Sequence, residues 1–289
     1  MEEEIKTINI NDPDYPALLK GISSPPKTLY ARGKFISDEA CIAVVGTRRC
    51  SDYGKSAAFS IVQGLIDAGV TIISGLAPGI DTVAHEIAVE NGARTIAVLG
   101  TGLDKKSIYP QTNVVLADRI VENNGLLLSE YPPGTPGAKY TFPQRNRIIS
   151  GLSHGVLIIE AKEKSGSLIT ADWAKKQGRA VFAVPGPIHS QNSRGCNALI
   201  KQGALLVDSA EDILKALNIA PRKARPRRAA DADAEEAKII GALTEEPLDA
   251  DKIIIRTGLP AKKILSLLPV MEIKGLIRDL GGGVYCLKQ

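Results

Sequence analysis

The sequence predicts an α/β protein built on a doubly wound, mostly parallel sheet. Three observations carry this: short runs that are apolar at successive positions, helical stretches between them, and loops of small residues where strands give way to helices. At 289 residues, 44% hydrophobic and 24% charged, the chain can hold one medium domain with a real core and a smaller second one.

The apolar runs are Cys41–Val45, Val70–Ser74, Thr95–Leu99, Gly125–Ser129, Val156–Glu160, Ala180–Val184 and Ala204–Val207. They are rich in Val, Ile and Leu and do not alternate, as expected of strands covered on both faces. Helical patterns over Gly54–Ala68, Pro78–Asn91, Asn113–Asn124 and Leu168–Gln177 separate them. That alternation implies right-handed crossovers and one Rossmann-like domain over residues 36–219, with residues 1–35 as an extension packing on its core.

Residues 220–234 read as a linker. Pro221-Arg222-Lys223-Ala224-Arg225-Pro226-Arg227-Arg228 followed by alternating Ala and Asp can bury nothing. Residues 235–289 then show three helical patterns, Glu236–Leu243, Ala250–Arg256 and Pro260–Lys274. A hairpin signal follows, with Leu276–Asp279 and Val284–Leu287 around Gly281-Gly282-Gly283. Three helices and a hairpin are the order of a small C-terminal winged-helix domain. Its third helix carries Lys262 and Lys263 but no Asn, Gln or Arg suited to base edges. A protein contact or weak backbone contact suits it better than base readout.

Charge and cysteine usage narrow the class. A net charge of +4 says little about an anionic partner. Its distribution says more, because no Asp or Glu occurs from Tyr131 to Ile159 or from Trp173 to Val207, so a one-sided basic surface is expected. Cys41, Cys50, Cys196 and Cys286 have neither CxxC pairing nor zinc-site spacing. No apolar run reaches the ~18 residues of a membrane span. The start Met1-Glu2-Glu3-Glu4 is the opposite of a signal peptide, so a reduced, cytoplasmic protein is expected.

Ligands of doubly wound sheets bind beyond the carboxyl ends of the strands. The loops expected there are Gly46-Thr47-Arg48-Arg49, Ser74 to Asp81, Gly100 to Asp104, and Ser165-Gly166-Ser167-Leu168-Ile169-Thr170. Small and hydroxyl residues before a helix let backbone N–H groups approach an anion, although Ser or Thr there also serves as an ordinary helix cap. The first acid-free run contributes Lys139 and Phe142-Pro143-Gln144-Arg145-Asn146-Arg147. A flat ring, three cations and an amide suit a stacked base and its phosphates. The plainer reading is a helix start whose arginines pair with acids from elsewhere.

Catalytic and cofactor patterns do not assemble. Gly100-Thr101-Gly102 lacks the third glycine of a dinucleotide loop, and no Walker lysine loop is present. Gly151-Leu152-Ser153-His154-Gly155 fits G-x-S-x-G but runs from helix into strand, the wrong order for a nucleophile elbow. Asp81 and His85, four residues apart, read as an acid–base pair or, more plainly, as a buried cap and a buried histidine. No catalytic residue, metal or cofactor is expected.

From Tyr15 to its end the chain resembles the DprA family, also called Smf, the DNA-processing proteins of natural transformation. The resemblance rests on Tyr15-Pro16 with Pro26, Leu29-Tyr30 and Gly33, on Val45-Gly46-Thr47-Arg48 with Tyr53-Gly54, and on Ser74-Gly75-Leu76-Ala77 with Gly79-Ile80-Asp81 and Ala84-His85. It continues through Tyr109-Pro110, Asn113, Ser129-Glu130, Phe142-Pro143, Arg145-Asn146-Arg147-Ile148-Ile149 and Glu160-Ala161. Ser165-Gly166-Ser167, Thr170-Ala171, Pro185-Gly186, Gly195, Asn197-Ala198-Leu199-Ile200 and Gly203-Ala204 complete it.

The resemblance implies a non-enzymatic, sequence-independent single-stranded DNA-binding protein, a homodimer, that protects incoming DNA and helps load the RecA recombinase. It implies a pocket of Gly46, Thr47, Arg48, Lys139, Phe142, Arg145, Asn146 and Arg147, with Ser165, Gly166, Ser167 and Thr170 as a phosphate cradle. Two departures stand out. Pro78 occupies a position where members often carry a basic or bulky residue, and about fourteen residues precede the Tyr15 match where many members begin with a helical domain. The alternative is a nucleotide-processing N-glycosidic hydrolase of a related Rossmann-like family. Its Pro-Gly-Gly-x-Gly-Thr loop is not matched by Pro185-Gly186-Pro187-Ile188.

Overall fold

The computed structural model describes residues 4–36, 39–220, 234–244, 246–273, 275–281 and 283–287. The chain divides into two compact units, Met1–Ala224 and Arg225–Gln289. The basic stretch Pro221–Arg228, the Asp–Ala repeat after it up to Asp233, Gly282 and the Lys262 side chain lie outside the described residues.

The first unit opens with β1 (Lys6–Asn9), α1 (Ala17–Lys20) and β2 (Thr28–Gly33). The alternating core then runs β3 (Cys41–Val45), α2 (Asp52–Asp67), β4 (Thr71–Ser74), α3 (Ile80–Glu90), β5 (Thr95–Leu99), α4 (Val114–Glu122) and β6 (Leu126–Ser129). It continues through α5 (Thr141–Gly151), β7 (Gly155–Ile158), α6 (Gly166–Lys176), β8 (Ala180–Ala183), α7 (Arg194–Lys201), β9 (Leu205–Leu206) and α8 (Ala210–Ala216).

These strands form one nine-stranded sheet in the order β1-β2-β6-β5-β4-β3-β7-β8-β9. From β6 through β9 every pairing is parallel, whereas β1–β2 and β2–β6 are antiparallel. The extension therefore lengthens the sheet instead of only packing on it. Reading from uninterrupted apolar runs misses β2 because Thr28–Gly33 alternates, burying Leu29 and Ala31 on one face.

Both sheet faces are covered, which explains the uninterrupted runs. In β3, Cys41, Ala43 and Val45 face one core with Ile148, Ile149 and Ala171. Ile42 and Val44 face the other, with Ile61, Leu65 and Ile80. Each fully buried Ile or Leu contributes roughly 1.5–3 kcal/mol of transfer free energy, so a polar residue anywhere in β3 is costly.

The strand order also fixes where a ligand can sit. The chain leaves β3 toward β4, β5 and β6, then returns to place β7 on the opposite side of β3. The loops after β3 and β7 diverge there, opening a crevice at the topological switch point.

The second unit contains α9 (Ala234–Ala242), β10 (Leu248–Asp249), α10 (Ala250–Thr257), α11 (Ala261–Ile273), β11 (Ile277–Asp279) and β12 (Val284–Leu287). The three strands form an antiparallel sheet, β10-β12-β11, around a core that includes Ile239, Ile253, Ile264, Leu268 and Met271. Gly258 ends α10 in the left-handed conformation, at the predicted turn into the third helix. This is the winged-helix order.

Candidate nucleic-acid interface

The crevice is a cleft of about 810 Å³. One wall is the loop after β3, Gly46 to Arg49, and another is the start of α5 with the segment before it, Gly137 to Asn146. The loop after β7 and the first turn of α6 supply Lys162, Lys164, Ser165, Gly166, Ser167, Ile169 and Thr170, and Tyr109 closes one side. Eleven of the twelve residues expected at a strand-binding site line this one cleft, and Arg147 is the exception.

The loop after β3 is pinned through its backbone. Thr47 N–H donates to the Glu160 carbonyl at 2.7 Å, and the Thr47 carbonyl accepts from Ile80 N–H at 3.2 Å. Gly79, at φ +83, passes so close that a Cβ there would strike the Thr47 carbonyl, so only glycine fits. This fixed base projects Arg48 and Arg49 into solvent.

Phe142 enters from the first turn of α5. Its ring packs beside Gly137, where a Cβ would come within 2.7 Å of it. Tyr109, about half exposed, sits with its ring centroid 5.5 Å away and tilted 48°. The Arg48 guanidinium carbon lies 5.8 Å from the Phe142 centroid, within cation–π range. Ring and cation thus form one unit at the mouth.

The cradle is only partly available to a ligand. Ser165 Oγ caps its own helix, accepting from Ser167 N–H at 3.3 Å, and lies 2.7 Å from Ser167 Oγ. Thr47, Ser167 and Thr170 are buried beneath the surface, whereas Gly166 borders open space. Asn146 Nδ2 donates to the Gly166 carbonyl at 3.2 Å, tying α5 to α6.

The two later arginines are both buried. Arg145 is 4% exposed, donates to the Val98 carbonyl and shares a local field with Asp81. Burial pulls its guanidinium down to about 10, against the pull of Asp81, so it stays charged at neutral pH. Arg147 turns away from the cleft and pairs with Glu130 at 2.6 Å, both side chains nearly covered. The plainer sequence reading holds for Arg147, because its acid partner sits one residue before the acid-free run begins.

Other acids and histidines are also engaged in the fold. Glu160, 1% exposed, accepts from Ser51 Oγ at 2.6 Å and from Ser51 N–H at 2.9 Å. Asp81 accepts from Gly75 N–H at 3.1 Å, while His85 Nδ1 lies 2.8 Å from Thr95 Oγ1, so the two take separate partners. Ser153 Oγ donates to the Ile149 carbonyl, consistent with a helix-end serine and not a nucleophile.

Sequence reasoning placed Arg49 in a site loop without naming it as a pocket residue, and missed Lys162, Lys164 and Tyr109 as cleft residues. The signal existed for the lysines, but Glu160 and Glu163 make the stretch Glu160–Lys164 neutral in sum, and Glu163 turns toward Arg194 at 3.8 Å. Among the described residues, none of Arg48, Arg49, Lys139, Lys162 and Lys164 takes part in an ion pair.

Fold and site together define a doubly wound α/β protein with a basic, aromatic-edged cleft at its switch point and a winged helix after it. The family described as DNA recombination-mediator protein A matches residues 6–218, the DprA winged helix domain matches residues 223–283, and the chain belongs to the DprA/Smf family. It is 45% identical over 218 residues to the DNA processing protein DprA of Bacillus subtilis (strain 168), covering 75% of this chain and 72% of that one. It is 39% identical over 285 residues to Protein Smf of Escherichia coli (strain K12), covering 95% and 75%.

Among solved structures it is similar to DNA processing protein A of Streptococcus pneumoniae, at 44% identity and a TM-score of 0.69 over 74% of this chain and 75% of that one. It is also similar to DNA processing protein A of Helicobacter pylori, at 31% identity and a TM-score of 0.64 over 75% and 98%. That structure is described as giving insight into the single-stranded DNA binding mode of the Helicobacter pylori protein.

Proposed function

We propose that the switch-point cleft binds single-stranded DNA without sequence preference. In this reading the protein is a cytoplasmic homodimer, acts without catalysis, protects incoming strands and helps load a RecA-type recombinase in natural transformation. One observation carries the binding reading: five exposed cations that have no acid partner among the described residues ring a cleft whose mouth holds Phe142 and Tyr109. Unpaired cations suit successive phosphates, and a ring suits any base, because every base has a π-face.

Arg48, Arg49, Lys139, Lys162 and Lys164 contact phosphates in this reading, and Phe142 stacks a base. The backbone of Gly46 and Gly166 approaches the strand, with Thr47, Asn146, Ser167 and Thr170 beneath it. Arg145 supports the floor, and Arg147 leaves the binding set. Two acids near the strand ends, Glu130 and Glu160, are taken up by Arg147 and Ser51, which favours binding over catalysis.

Titrating a labelled single strand at several salt concentrations tests this. Arg48→Ala and Lys139→Ala are each expected to weaken binding whatever the sequence, and to flatten the slope of log affinity against log salt by about 0.7 to 1 per lost contact. An unchanged slope in both variants overturns the assignment.

A further inference from the structure

The second acid-free run begins at Trp173, the only tryptophan in the chain. Trp173 belongs to none of the core clusters of the first unit and is part-exposed on α6. That helix starts inside the cleft, where Ser165 caps it and Ile169 lines the wall. Its inner face, Ser167, Thr170, Ala171 and Ala174, is buried. At i, i+4 and i+7, Ile169, Trp173 and Lys176 share the outer face. Along the axis of α6, leaving the cleft, the backbone of Trp173 lies about 6 Å and that of Lys176 about 10 Å beyond Ile169.

Lys176 Nζ lies 5.1 Å from the Trp173 ring centroid, and among the described residues Lys176 takes part in no ion pair. Asp172 is the one acid on α6; it stands four residues before Lys176 on the same exposed face, and among the described residues the two form no ion pair. A part-exposed indole with a cation over it that forms no ion pair among the described residues repeats the Phe142–Arg48 unit at the mouth of the cleft. Both have the parts of a base-and-phosphate subsite, a sequence-tolerant π-face and a cation beside it.

We propose that the outer face of α6 is a second subsite for single-stranded DNA, with Trp173 stacking a base of the strand that leaves the cleft and Lys176 neutralising an adjacent phosphate. The proposal rests on the cleft being the primary strand site. It also gives the second acid-free run a role, since a carboxylate at 175 or 176 would repel the departing strand.

Because Trp173 is the sole tryptophan, its emission reports on this subsite alone. The full chain is titrated with an oligothymidylate of about four nucleotides, sized for the cleft, and with one of about fifteen, while binding is followed independently by anisotropy of a labelled strand. The long strand is expected to quench Trp173 in a salt-sensitive way, and the short strand to bind with little quenching. Lys176→Ala should then lower affinity for the long strand several-fold, flatten its salt slope by about 0.7, and leave the short strand unaffected. Binding of both lengths with unchanged Trp173 emission, or an unchanged long-strand slope in Lys176→Ala, overturns the subsite and leaves the cleft standing. Failure of both lengths to bind overturns the cleft reading itself.

Discussion

The rim of the cleft and the structure behind it use arginine in opposite ways. At the rim, Arg48 is exposed, lies over a phenylalanine ring and has no acid partner among the described residues. Behind it, Arg147 is buried against Glu130, and Arg145 is buried within the field of Asp81. A cation that must meet a phosphate cannot already be neutralised, whereas a buried cation must be compensated or it unfolds its surroundings. Residue type alone does not separate the two classes, but burial and partners do.

The largest expected effect lies in the buried class. Glu130→Ala leaves the Arg147 guanidinium covered and unpaired, and loss of one partner from a buried pair costs about 3–5 kcal/mol. Urea unfolding should show that loss, while any folded Arg147→Ala protein should keep the wild-type salt slope for single-strand binding. A flattened slope in Arg147→Ala would erase the distinction and return Arg147 to the rim.

The same distinction explains what was legible in advance. The central sheet could be read because β3 to β8 are covered on both faces and so leave uninterrupted apolar runs. The site loops could be read because small residues mark strand-to-helix junctions. Three things could not be read. Strand β2, between β1 and β6, alternates, Lys162 and Lys164 are masked by Glu160 and Glu163, and the partner of Arg147 depends on tertiary packing that places Glu130 beside it. Counting acids within a run excludes a partner at i+3 or i+4. It cannot exclude one brought in by a neighbouring strand end.

A smaller effect tests the buried side through pH. His85 has no exposure, and burial, reinforced by the Arg145 charge, pulls its imidazole down to about 3. In the unfolded chain it titrates near 6.5, so the unfolded state binds the extra proton between those values. Stability is therefore full above about pH 6.5 and falls as pH drops toward 3. Asp81 acts in the opposite sense, because burial raises its carboxyl against the pull of Arg145, and protonation favours the folded state. Comparing wild type with His85→Gln isolates the histidine. Relative to the variant, wild type should lose about 2 kcal/mol of unfolding free energy between pH 8 and pH 5. Parallel stability curves for the two proteins would show that His85 is not held neutral by the fold.

The smallest expected effect asks whether the free cations of the rim have a counterpart in the second unit. There Arg256 pairs with Glu246 at 2.6 Å, Lys263 with Glu235 at 2.9 Å and Lys252 with Asp249 at 3.2 Å. These exposed pairs add little to stability, but they neutralise cations that a strand could otherwise use. The first unit has its own cores and the second has another, so removing Glu235–Gln289 leaves the first unit's packing intact. The truncated protein should keep most of its single-strand affinity, within a few-fold, and a salt slope within about 0.7 of the full chain's. Loss of nearly all affinity would place the phosphate contacts in the winged helix, and the unpaired state of the rim cations would then need another explanation.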